Sequence, residues 1–149
     1  MATVEVTFTP LPAHVRTARL VATAVARRSG VDESLLDEVR LAVGEACSRA
    51  VEAHRKHCPR APIKVALTDD TERFEVVVTD AAPAEAPAET MSAELASAVK
   101  APAADGVVHQ LPPGVGLAVI SGLADDVRIM RAGNGTSVAM SWKRRTEPA

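Results

Sequence analysis

Aromatic side chains are nearly absent. Phe8, Phe74 and Trp142 are the only three, with no Tyr. This excludes a stacking platform for single-stranded bases or a groove for proline-rich peptides, and it predicts an aliphatic core. Cysteine is scarce too: Cys47 and Cys58 stand in a chain whose first residues, Met1 to Glu5, form neither a basic nor an apolar leader, so reduced thiols and a cytoplasmic location are expected. Neither charge sign dominates. Seventeen basic against 19 acidic side chains give a net charge of -2 and a pI near 6.1, which removes any global attraction to nucleic acid or an anionic membrane. Long apolar runs are missing as well, because the uncharged stretch Val107 to Ala124 is interrupted by Pro112, Pro113, Gly114 and Gly116, so no membrane span is expected.

What is present suffices for one domain. A chain of 149 residues with 47% hydrophobic and 24% charged side chains buries a core without disulfides or metal. Val4, Val6 and Phe8 alternate with polar residues and predict a strand ended by Pro10 and Pro12. Apolar residues at helical steps predict a helix over 13–28 followed by a left-handed cap at Gly30. Asp32 or Ser34 can cap a second helix with the buried stripe Leu36, Val39, Val43, Ala46, Cys47 and Ala50. Alternation over 63–67 and 74–78 around Thr68-Asp69-Asp70-Thr71 predicts a hairpin. Another is expected where Val127 and Ile129 are separated from Val138, Met140 and Trp142 by Gly133-Asn134-Gly135. Between them, the Ala- and Pro-rich stretch 81–110 reads as a mobile, lid-like connection with a short helix over 90–100, and a further helix is expected over 117–123. This order predicts an α+β two-layer sandwich over 1–145, with helices on one face of a mixed, mostly antiparallel sheet, and a tail at 146–149. The other sheet face is left to water or a partner.

Individually the candidate sites are weak. Glu45 and Arg49, four apart on the second helix, fit an exposed ion pair worth roughly 0.3 to 0.5 kcal/mol. Gly114-Val115-Gly116-Leu117 opens a helical segment and can bring backbone N–H groups close to a phosphate. It is no dinucleotide fingerprint, since Val119 stands at the third glycine and Leu111-Pro112-Pro113 where a strand is required. Cys47, His54, His57 and Cys58 match no common zinc spacing; a core cysteine and solvated histidines at a helix end are expected, with no metal. No Gly-x-Ser-x-Gly elbow occurs.

The order of the signals is more specific than any one of them. The helix segment Asp37 to Ala46, a strand ending in Asp80, Gly114-Val115-Gly116-Leu117 and Gly133-Asn134-Gly135-Thr136 together resemble the bacterial anti-sigma-factor serine kinases of the GHKL, or histidine-kinase-like, ATPase superfamily. The resemblance runs from the first strand to Trp142 and implies that superfamily's Bergerat-type sandwich. It aligns Glu45 with the activating carboxylate and Arg49 with the asparagine that holds Mg²⁺. It gives Asp80 the adenine contact, and Gly114, Gly116 and Thr136 the phosphate contacts. Two motifs are altered. Arg49 has no acceptor lone pair and carries a permanent positive charge, so it repels a cation instead of binding it. In Asp80-Ala81-Ala82-Pro83-Ala84 alanines replace both glycines of the family's Asp-x-Gly-x-Gly, adding methyl groups where a nucleotide would lie, and Pro83 removes a donor.

The resemblance with these losses implies a regulator that binds a sigma factor, a STAS-domain anti-anti-sigma factor, or both. Homodimerisation is possible, nucleic-acid or membrane binding is not expected, and no cofactor is needed. Its rival is an active ATP- and Mg²⁺-dependent serine kinase with Glu45 as base. A third reading is a scaffold that titrates the anti-anti-sigma protein.

Overall fold

The computed structural model describes residues 2–70, 72–83 and 115–144. The short helix expected over 90–100, nearly all of the 81–110 connection, Gly114 and the tail at 146–149 lie outside the described residues.

Strand β1 (Ala2–Phe8) leads into helix α1 (Pro12–Arg28), which Pro12 opens at a position where the missing N–H costs no helical bond. The end of α1 is set by Gly30. Its φ of +86° lets Gly30 N–H reach the Arg27 carbonyl at 3.2 Å and Val31 N–H reach that of Ala26 at 3.1 Å, the paired bonds of a Schellman stop. Asp32 then accepts the Ser34 N–H at 3.0 Å and starts a 3₁₀ turn, Glu33–Leu35, that runs into α2 (Leu36–His57). Strands β2 (Ile63–Asp69) and β3 (Arg73–Thr79) form the first expected hairpin. Helix α3 (Val115–Leu123) precedes β4 (Asp126–Ala132) and β5 (Gly135–Lys143), the second hairpin.

The sheet order is β1-β2-β3-β5-β4, and every described pairing is antiparallel. The sandwich is thus as expected, at the fully antiparallel end of the expectation. Register places apolar partners opposite one another on one face: Val6 with Val65, Val65 with Val78, Val78 with Val138, and Val138 with Ile129. The stripes of α1 and α2, including Val15, Ala22, Val39, Val43 and Cys47, cover that face. The core is not purely aliphatic. Phe74 and Trp142 are fully buried with ring centroids 6.2 Å apart, and the Trp142 indole N–H donates to the Leu123 carbonyl at 3.0 Å, tying β5 to the end of α3. These two rings, on neighbouring strands, belong to the largest of the fully buried side chains.

Arg144, just beyond β5, was not singled out by the sequence. Its guanidinium donates to the Ser29 carbonyl at the end of α1 and, at 2.8 Å, to the Asp70 carbonyl in the β2–β3 turn; it also lies 3.3 Å from the Asp69 carboxylate. Among the described residues no helix is long and apolar enough to cross a membrane.

Candidate functional site

At the opposite end of β3 the strand leaves the sheet at Asp80, and β3, β5 and α2 meet there. The antiparallel register that pairs Thr79 with Ser137 brings Asp80 opposite Thr136. Asp80 N–H donates to the Thr136 carbonyl at 2.9 Å, as a ladder residue would. The return bond is different: Thr136 N–H donates to Oδ1 of the Asp80 side chain at 3.2 Å. The same oxygen accepts the Ala82 N–H at 3.2 Å, closing an Asx turn that folds Ala82 into a buried position. Gly135 is what lets the strands approach this closely, because a methyl group there would collide with the Asp80 carbonyl oxygen. Although Gly133-Asn134-Gly135 is expected to form the turn, Gly135 already belongs to β5 and serves this close packing.

The Asp80 carboxylate is only 4% exposed. Its second oxygen faces Arg49 of α2, whose Nη1 donates to Oδ2 at 3.3 Å. This corrects the expected Glu45–Arg49 pair: among the described residues Glu45 makes no ion pair with Arg49, which reaches across to the sheet instead. Burial explains the choice. Glu45 is only half-buried, whereas the Asp80 carboxylate is withdrawn from solvent and needs a counter-cation.

One turn and a half further along α2, His54 is fully buried. Its Nδ1 lies 2.9 Å from the Ala61 carbonyl, and Ala81 N–H donates to Nε2 at 2.9 Å. Nε2 therefore acts as an acceptor and Nδ1 carries the proton. This overturns the expectation of a solvated histidine. The imidazole bridges the loop after α2 to the exit of β3, and the only local signal for it was its place on the Cys47 face of the helix. Nearby, burial and then the negative charge of Asp80 push the Cys58 thiol up from its ordinary value of 9.0. Burial pushes Cys47 up further, to about 12, against a smaller opposing effect of the Arg19 guanidinium. Both cysteines are free, and among the described residues no cluster of three His, Cys, Asp or Glu side chains can hold a metal.

Of the residues chosen from sequence, Arg49, Asp80 and Thr136 thus come together. Glu45 sits one turn before Arg49 on α2, and Gly116 lies in the first turn of α3, which packs on α2. A cleft of about 340 Å³ borders Asp80, lined by Pro62, Lys64, Thr79, Ala81, Asn134 and Gly135. Asp80 itself lines it, and no residue of α2 does.

Comparison with known proteins shows the class to which this sandwich belongs. Residues 8–142 match the model of the histidine kinase-like ATPase domain, and the chain belongs to that family. No curated protein sequence matches it. Among solved structures, the chain is similar to the RsbU and RsbW domains of Rv1364c from Mycobacterium tuberculosis, with 20% identity and a TM-score of 0.65. That match covers 100% of this chain and 34% of the other, so this chain spans about a third of that protein's length.

Proposed function

We propose that this chain is an anti-sigma-type regulator that works by binding protein partners, a sigma factor or a STAS-domain anti-anti-sigma factor, with nucleotide binding and kinase activity impaired or lost. Family membership supports the general class, and the RsbU and RsbW domain likeness supports the fold on which such regulation is built. The observation that carries the loss is the Arg49–Asp80 contact. In this family the site takes ATP with Mg²⁺, and the residues here do not fit that ligand. A guanidinium offers no lone pair to a metal, and Asp80 already receives two backbone N–H groups on one oxygen and Arg49 on the other. Ala82, buried by the Asx turn, leaves a methyl group where the family has glycine. Without the ion that offsets triphosphate charge, phosphoryl transfer loses stabilisation of several kcal/mol. Partner binding needs none of these groups, since it rests on surface complementarity.

Half-exposed Glu45, without an ion pair to Arg49, favours the rival reading of an active serine kinase with that carboxylate as base. Affinity capture of the full chain from cytosol followed by mass spectrometry tests the binding reading: recovery of a sigma factor or STAS protein is the expected result, and recovery of neither contradicts it. Radiolabel transfer from ATP to a captured STAS protein, abolished in Glu45→Ala, would establish the kinase instead. The expected result is no transfer at saturating ATP.

A further inference from the structure

The β3 exit is held from α2 at two successive residues by two different side chains. Arg49 takes the Asp80 carboxylate and His54 takes the Ala81 N–H, while Asp80 in turn holds the Ala82 and Thr136 N–H groups. All four contacts are internal to the chain, and Asp80 and His54 are both at least nine-tenths buried. We infer that Arg49 and His54 form a built-in clamp that fixes the exit of β3 against α2 with no ligand bound, so that Arg49 does from within the chain the tying of helix to sheet that a bound ligand would otherwise do. The inference rests on the proposed loss of nucleotide binding in one respect: Asp80 is committed to Arg49 and not shared with a base.

The consequence is conformational. A site that relies on a ligand to join α2 to β3 changes state as the ligand comes and goes, whereas one joined by a side chain has a single state. The direction in which the chain leaves at Pro83 is then set within the chain, by α2 through Arg49 and His54 and by the Asp80 bonds to Ala82 and Thr136. Arg49 and His54 act on separate groups, so their effects are separable: loss of Arg49 frees the Asp80 carboxylate and weakens its hold on Ala82 and Thr136, while loss of His54 frees Ala81.

The test is amide hydrogen exchange by NMR on the full chain with no nucleotide or partner added, following Ala81, Ala82 and Thr136 with the β2 amides as internal reference. All three are protected in the unmodified protein. Arg49→Met and Asp80→Asn each speed exchange at Ala82 and Thr136 by about tenfold, and the double variant is no faster than the faster single one because both break one contact. Arg49→Lys, which keeps the charge without the fork, falls between and serves if the methionine variant does not fold. His54→Leu releases Ala81 preferentially. Unchanged rates in the single variants, independent addition in the double variant, or equal acceleration of the β2 amides would each overturn the clamp. Adding ATP with Mg²⁺ to the unmodified protein is the separate arm: saturable shifts at Thr136 would contradict the proposed function, while the ligand-free exchange comparison would still report on the clamp.

Discussion

Arg144 and Arg49 hold opposite ends of β3, and the two ends differ in what each cation faces. At the Arg144 end the guanidinium gathers the Ser29 and Asp70 carbonyls and the Asp69 carboxylate, and both members of the ion pair keep about a third of their surface in water, 31% and 32%. At the Arg49 end the cation is 27% exposed but its partner is 4% exposed. The distances are the same, 3.3 Å in each pair. Burial of the acidic partner, and not distance, separates them: Asp69 keeps about a third of its side chain in solvent although its paired Oδ1 is buried, whereas nearly all of the Asp80 carboxylate is withdrawn, so removing Arg49 leaves the larger uncompensated burial. The first arginine is a staple of the fold; the second neutralises a site.

Breaking the Asp80 end at its backbone gives the largest expected effect. Gly135→Ala drives a methyl group into the Asp80 carbonyl and cannot be relieved by a flexible side chain, so chemical denaturation should show a loss of about 3 kcal/mol. Arg49→Met follows, at about 2 kcal/mol, for the buried charge left with only backbone donors. Arg144→Ala sharpens the comparison from the other side, with a loss of about 1 kcal/mol that shrinks in high salt, as expected of a pair only partly withdrawn from solvent. A larger loss for Arg144→Ala than for Arg49→Met would reverse the account.

Cys47, beneath Arg19 and part of neither end, gives the smallest effect at neutral pH. Its thiol keeps its proton to about 12 in the folded chain against 9.0 when unfolded. Below pH 9 both states are protonated and nothing is lost; between 9 and 12 the unfolded state sheds the proton first, so stability falls as pH rises. The alkaline fall should be shallower in Cys47→Ala, as read by denaturation midpoints across that range, while resistance of the native thiol to alkylation at pH 8 checks its burial directly.

Helices α1 and α2 and the β2–β3 hairpin are legible because each has one buried face. Alternation in β2 and β3 and the three- and four-residue steps of α1 and α2 follow from that one-sided packing, whereas β5 is buried at every residue from Gly135 to Trp142 and shows in the sequence only through Val138, Met140 and Trp142; Gly30 marks the end of α1 for a local reason. The site was less so. Asp80, Arg49 and Thr136 were picked out by resemblance, yet their contacts span 31 and 56 residues of sequence, a separation at which periodicity says nothing. Hence Arg49 was matched to its helical neighbour Glu45. His54 was read as solvated because it lies among Arg55, Lys56 and His57, although it falls on the buried side of the last turns of α2. Gly135 was hidden in a glycine-rich turn, and Arg144 carried no pattern at all. Ala81 and Ala82, which composition assigns to the expected 81–110 connection, are held by His54 and Asp80.

Arg49→Asn supplies the amide that the resemblance implies at this position, but it leaves Ala82 and Pro83 in place, so it should not by itself produce nucleotide affinity. The central claim is that an arginine stands where a metal-bound nucleotide would be held. Calorimetric titration of the unmodified chain with ATP, with and without Mg²⁺, tests it most directly: no saturable heat in either series is the result the account predicts, and micromolar affinity that appears only with magnesium would contradict it.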